Sequence, residues 1–374
     1  MMPDSSSPSP RSPVTHVVMM DGTFASLAEG QRSSIARIHA VLRGKYGPLP
    51  EGAGRLRLHY AAGQQWNHWR TIPELASGTG MEARIGEAYG WLASGYAPGD
   101  QIFLLGYSRG AFAVRSLAGM IGRIGLLRDR YATERHIRLA WRYYQDGGDA
   151  KIMAAFHKRR CHAQVPIRMV GCFDTVMALG IRLPLLWMLT EPRHRFHDAH
   201  LGADVDFGFQ ALSLDETRAA FAPLIWDDAS QAGRIEQAWF RGAHADIGGQ
   251  LSGLEFARPL ANIPLIWMME RAEAVGLSLP LGWRRNFVTD PTAPSIGNWR
   301  RWGKAFLARA SRTAGREATE LLHPSVALPY PGPALLVRHL ARFAAPRRRR
   351  LRKPKPAPVT VTGPDAGPEP EQRV

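Results

Sequence analysis

A chain of 374 residues with a hydrophobic fraction of 45% and 11 Trp can bury a large core, which excludes a disordered or fibrous protein. Its two cysteines, Cys161 and Cys172, have neither metal-ligand spacing nor a disulfide framework, which suits a reducing compartment and reads as two small core side chains. The net charge of +16 arises from 48 Lys+Arg against 32 Asp+Glu, but no zinc-finger, helix-turn-helix or aromatic-and-basic RNA-binding signature accompanies it, so no specific nucleic-acid role follows.

Residues 1–13 are rich in Ser and Pro and contain no long apolar core, which predicts a disordered N-terminus and no Sec-type signal peptide. No run of 18 apolar residues occurs, so no spanning helix is expected. The expected placement is cytoplasmic in the producing cell, with any secretion by a non-Sec route. Val14–Met20 is an apolar, β-branched strand stopped by Asp21-Gly22-Thr23, and Leu56–Tyr60 reads as a second strand. Met81–Ala93 is an amphipathic helix, and Ala97-Pro98-Gly99-Asp100 turns into a strand that begins at Ile102. That strand ends in Gly106-Tyr107-Ser108-Arg109-Gly110, followed by an Ala- and Leu-rich helix over Ala111–Ile121.

Val165–Phe173 is a further apolar strand, closing on Asp174-Thr175. The apolar run Leu183–Leu189 is too short to cross a bilayer and suits either a core segment or an exposed lid touching lipid. Arg234–Phe240 predicts a strand entering a Gly-flanked loop that carries His244 and Asp246, and Ile263–Ala274 predicts a helix. Residues 346–374 form a basic, Pro-rich tail expected to be disordered; its readings are attraction to anionic lipid head groups or a merely solvated tail. Strands separated by helical stretches predict an α/β protein, α/β-hydrolase-like, with a mostly parallel central sheet and helices on both faces. Residues 14–345 then form one domain with helical, lid-like insertions.

In such sheets reactive groups gather at the carboxyl ends of the strands. Gly-x-Ser-x-Gly between a buried strand and a helix is the sequence of a nucleophile elbow, with small residues where the backbone must turn sharply. A serine hydroxyl needs an adjacent base, and the base needs an orienting carboxylate. Ser108, Asp174 and His244 supply these in the chain order nucleophile, acid, histidine, each just after a predicted strand. Asp246 as the acid with His323 as the base keeps the same order. Asp21, Asp174 and Asp246 also make an oxygen-ligand metal site conceivable, although no acidic cluster or His-x-x-x-His accompanies them, so the expectation is no metal and no cofactor. The Arg109 amide is one expected oxyanion donor, and Gly22 or Thr23 the second.

Five blocks carry a resemblance: Met20–Thr23, Gly106–Gly119, Phe173–Val176, Trp239–Gly249, and Ala211–Glu216 followed by Arg218 and Phe221. Together the chain resembles the α/β-hydrolase domain typical of the first family of type VI secretion lipase effectors, from about Val14 to Leu279 and more weakly to Val326. The resemblance implies a serine esterase or phospholipase acting on membrane glycerophospholipids, with Ser108, Asp174 and His244 as its triad and Asp246 beside it. One departure is Gln250, where the family more often has a further Gly. A catalytically silent hydrolase-like binding module and a soluble small-ester esterase are the competing readings. The oligomeric state is not legible.

Overall fold

The computed structural model describes residues 11–64, 79–176, 200–227, 233–299, 306–337 and 341–342. The expected disorder of residues 1–10, the apolar run 183–189 and the tail 346–374 lie outside the described residues.

The central strands Val14–Met20 and Gln101–Tyr107 form where apolar residues run nearly without a break. In chain order the strands are β1 (Val14–Met20), β2 (Arg55–Ala61), β3 (Gln101–Tyr107), β4 (Ile167–Phe173), β5 (Val205–Ser213), β6 (Ile235–Phe240), β7 (Thr313–Ala314), β8 (Glu320–Leu322), β9 (Leu335–Leu336) and β10 (Ala341–Arg342). Eight of them make one sheet in the order β10-β8-β6-β5-β4-β3-β1-β2, and β7 pairs with β9 apart from it. Every pairing between neighbouring strands is parallel among the described residues.

The helices are α1 (Ser34–Leu42), α2 (Thr79–Ala93), α3 (Arg109–Ile124), α4 (Glu134–Asp146), α5 (Ala150–Arg160), α6 (His244–Gly248) and α7 (Arg258–Ala274). Period-two alternation sorts the strand side chains between two cores. Val18, Met20, Ile102 and Leu104 face a cluster with α2, α3, α4 and α5. Val17, Met19, Phe103, Leu105, Met169 and Phe209 face the other, with α1 and α7. Burial on both faces explains why these strands read as continuous apolar runs.

Two expectations need correction, and one strand carries no sequence signal of its own. β5 is a full strand that no sequence signal set apart, because its Asp206, Gly208 and Gln210 interrupt the apolar pattern. Helix α7 starts at Arg258 rather than Ile263, since Pro259 falls in the first turn, where its missing N–H costs nothing, and Pro264 is accommodated inside. His244 opens the short helix α6 instead of lying in a loop; Asp246 caps this turn by accepting from the Ala243 amide at 2.8 Å, and Gly249 (φ 67°) ends it.

The register places the reactive segments at one edge. Met20 pairs with Gly106, Tyr107 with Phe173, Phe173 with Ala211, and Ser213 with Phe240. The residues following β1, β3, β4 and β6 therefore emerge side by side. At that edge α3 crosses β1 so closely that a Cβ on Gly110 would sit 2.6 Å from the Met20 carbonyl carbon and 2.7 Å from the Asp21 oxygen. Both neighbours are backbone, so Gly110→Ala is expected to cost about 3 kcal/mol or more. The measurement is the urea midpoint; a variant as stable as wild type would mean that α3 can back away.

Candidate active site

Ser108 stands between β3 and α3 with φ 57° and ψ −123°, a conformation that a residue with a Cβ adopts only when its surroundings impose it. Two contacts impose it here. Its amide donates to the Phe173 carbonyl at 3.0 Å, and a Cβ on Gly106 would lie 2.6 Å from Ala111, so the strand and helix are pressed together around the serine. The side chain is buried.

Asp174 follows β4, also at positive φ (46°), and is fully buried. Its Oδ2 lies 2.5 Å from His244 Nδ1, and His244 Nε2 lies 2.9 Å from Ser108 Oγ. A carboxylate only accepts, so Nδ1 carries the imidazole proton and Nε2 is left to accept from the serine hydroxyl. Burial drives the Asp174 carboxyl up, but the Arg312 charge and the hydrogen bond and charge of His244 outweigh it and hold the group well below the usual carboxylate range. Oδ1 accepts from the Ser213 amide at 3.1 Å and from Arg312 Nη1 at 2.6 Å.

His244 is held on its other sides. Its amide reaches Glu216 Oε2 at 3.3 Å, and its ring meets Phe221 at 4.9 Å and Tyr107 at 5.0 Å between centroids. Glu216 is ion-paired with Arg218, whose guanidinium lies 3.8 Å over the Phe221 ring. The motif from Ala211 to Phe221 is thus the bracket around the histidine.

The loop after β1 lies against the serine: a Cβ on Gly22 would meet Ser108 Cβ at 3.3 Å and Tyr107 Cδ1 at 2.5 Å. The Gly22 amide donates to Asp21 Oδ1 at 2.8 Å, which leaves Thr23 as the better placed of the two expected donors. Among the described residues no acceptor meets the Thr23 or Arg109 amide. The Arg109 side chain donates to Thr23 Oγ1, and Gln250 Nε2 donates to the Thr23 carbonyl at 2.9 Å. Gln250 therefore touches this loop directly.

Asp21 anchors the loop from below, accepting from Ser33 Oγ at 2.6 Å and Tyr60 Oη at 2.7 Å. Burial nevertheless pushes its carboxyl up to about 6. The native state thus keeps a proton that the unfolded chain, near 3.8, releases, so stability falls as pH rises from about 4 through about 6. The full loss above that range is on the order of 3 kcal/mol. Asp21→Asn is expected to gain Tm relative to wild type across this window, measured by parallel thermal melts; a constant difference would refute it.

Asp246 and His323 are not brought together. Asp246 accepts from Ser295 Oγ at 2.5 Å and the Ile296 amide at 3.0 Å, fastening α6 to that loop. His323 Nδ1 lies 2.8 Å from Ser325 Oγ, its ring stacks on Phe240, and burial lowers it to about 4. Among the described residues no group of three His, Cys, Asp or Glu side chains is placed to hold a metal ion, and no helix is long and apolar enough to cross a membrane. Both cysteines are free and buried. Sequence reasoning missed Arg312, and nothing around Ser311-Arg312-Thr313 marks it, since its partner is 138 residues away.

A parallel sheet that presents a serine on a strand-to-helix elbow, an aspartate and a histidine at one carboxyl edge is an α/β-hydrolase-like fold. The chain belongs to the family described as T6SS phospholipase effector Tle1-like, catalytic domain, whose model matches residues 15–271. An uncharacterized protein of Saccharomyces cerevisiae, YEL023C, is 29% identical over 171 residues, 43% of this chain and 24% of that protein. The chain thus spans about a quarter of the length of that curated relative. Among solved structures, a Tle1 effector bound to the VgrG spike of a type 6 secretion system is 18% identical, with TM-score 0.34 over 64% of this chain and 51% of that one. An uncharacterized protein from Pseudomonas aeruginosa is 17% identical, with TM-score 0.42 over 79% and 49%.

Proposed function

We propose that the protein is a serine hydrolase of carboxylic esters, acting on glycerophospholipids, with Ser108 as nucleophile, His244 as general base and Asp174 as the orienting acid. The observation that carries this is the unbroken relay from Ser108 Oγ through both imidazole nitrogens to a buried, ionised carboxylate. Family membership supplies the lipid class of substrate.

His244 Nε2 takes the hydroxyl proton as Ser108 Oγ bonds to the ester carbonyl carbon. The Arg109 and Thr23 amides receive the oxyanion, and the positive end of α3 adds to their field. The imidazolium then returns its proton to the departing alcohol oxygen, leaving an acyl-serine. Water attacks this ester with His244 again as base, and the carboxylic acid leaves as Ser108 regains its proton. One imidazole, alternating as base and acid, serves both halves.

The test is treatment with a fluorophosphonate probe, paired with fatty-acid release from phospholipid vesicles and from a monomeric p-nitrophenyl ester. Covalent labelling at Ser108 together with vesicle hydrolysis is expected. An unlabelled serine would make the chain a silent binding module, and labelling with activity confined to the monomeric ester would make it a small-ester esterase.

A further inference from the structure

Arg312 lies beyond residue 271, where the family match ends, yet its guanidinium closes on the innermost carboxylate of the site. Nη1 donates to Asp174 Oδ1 at 2.6 Å and Nη2 to Oδ2 at 3.0 Å, a two-pronged grip. The same two nitrogens also donate to the carbonyls of Ser213 at 2.9 Å and Phe221 at 2.6 Å. The Arg312 side chain is only 4% exposed and that of Asp174 0%, so the pair is out of water. The segment that carries it is fastened on both sides. Ala219 donates to the Ala308 carbonyl at 3.0 Å, the Ala310 amide to Thr217 at 2.8 Å, and the Leu335 amide to Arg312 at 2.8 Å. Phe306, on the same segment, stands 5.3 Å from Phe221, the ring that faces the imidazole.

We propose that Arg312 is a positioning residue for ester hydrolysis: its fork holds Asp174 in one orientation, and its charge offsets part of the pull of Asp174 on the imidazole proton, keeping His244 available as a base. The proposal rests on the assignment of Ser108, His244 and Asp174 given above.

The physical case has two parts. Without Arg312 the Asp174 carboxylate would keep only the Ser213 amide on Oδ1, at 3.1 Å, and a weaker hold on its orientation would loosen the His244 Nδ1 hydrogen bond with it. A buried carboxylate facing a histidine alone would also favour the imidazolium, which cannot accept a proton from serine. A fixed cation on the far lone pairs reduces that preference without touching the ring.

The other charged and titratable groups around His244 do not touch its ring. Glu216 meets the His244 amide and is ion-paired with Arg218, and Asp246, two residues on, is taken up by the Ala243 and Ile296 amides and the Ser295 hydroxyl. The Tyr107 phenol, 3.5 Å from the His244 carbonyl, is kept protonated by its burial. Asp174, gripped by Arg312, is thus the charged group bonded to the ring itself.

The experiment compares wild type, Arg312→Gln, Arg312→Lys and Ser108→Ala on a soluble p-nitrophenyl ester from pH 5 to 9, with near-ultraviolet circular dichroism to fix the folded fraction. In Arg312→Gln, kcat per folded molecule is expected to fall about 10²-fold, and the acid limb of kcat/KM to move up by roughly one pH unit. Arg312→Lys keeps the charge but cannot span both oxygens, so its acid limb stays at the wild-type position while kcat drops about tenfold. An unmoved limb in Arg312→Gln, or a limb in Arg312→Lys that moves as far, overturns the proposal; so does wild-type kcat in either. If Arg312→Gln does not fold, the limb and kcat of Arg312→Lys decide alone. An active Ser108→Ala would instead remove the assignment beneath it, whereas an inactive Ser108→Ala beside wild-type kinetics in the Arg312 variants defeats this inference only.

Discussion

Ser108→Ala is expected to abolish turnover, with kcat on a soluble acyl ester falling by about 10⁶-fold. The size of the loss follows from the absence of a substitute among the described residues. The Thr23 hydroxyl accepts from Arg109, the Ser213 hydroxyl donates to the Gly242 carbonyl at 2.7 Å, and the Cys172 thiol lies under Ala111 with its ionisation pushed up to about 11 by burial. None of them has an imidazole to take its proton. What survives is the field of the oxyanion donors, which lowers the barrier for attack by water alone. Stopped assays at high enzyme concentration can read a residue of this size. A rate above one part in a hundred would require a second nucleophile.

The second large effect separates two carboxylates that stand in equally suggestive sequence contexts. Asp174→Asn should lower kcat by about 10⁴-fold. The amide would present either an oxygen or an NH₂ to His244 Nδ1, and Arg312 already claims the acceptor; the NH₂ therefore faces the ring and stabilises the tautomer that cannot take the serine proton. The same change strands a buried guanidinium, so a stability loss of about 3 kcal/mol accompanies the kinetic one. Asp246→Asn breaks the ties to Ser295 and Ile296 and should cost stability, while kcat per folded molecule stays within about tenfold of wild type. Thermal melts with steady-state rates on both variants settle the matter, and the reverse ordering would make Asp246 the acid.

Much of this site was legible because its local sequence is distinctive. The β1 boundaries coincide with Val14–Met20, and the strained turn at Ser108 is legible in the flanking Gly106 and Gly110 that its packing demands. What escaped was either short or distant. Five residues of α6 are too few for a helical period, so His244 read as a loop residue although Asp246 caps its turn. In β5 the buried Gln210 satisfies itself on the Leu224 carbonyl at 3.0 Å and on Gln237 at 3.1 Å, a cross-strand network that no single segment can announce. Arg312 escaped for the same reason at greater distance: an arginine between two small polar residues looks like surface until its partner is known.

Ser108 and Asp174 hang from adjacent strands, and the Ser108 amide is tied to the carbonyl of Phe173, the residue preceding Asp174. The intervening chain from α3 to α5 leaves and returns on one face of the sheet without passing between them. Reaction geometry is thereby uncoupled from most of the polypeptide that joins its parts. The stretch from α4 to α5 can therefore lengthen or shrink while Ser108 and Asp174 keep their spacing. For an engineer this makes that excursion the place to graft new segments, and the carboxyl edge, with its Thr23 loop and Arg312, the place to leave alone.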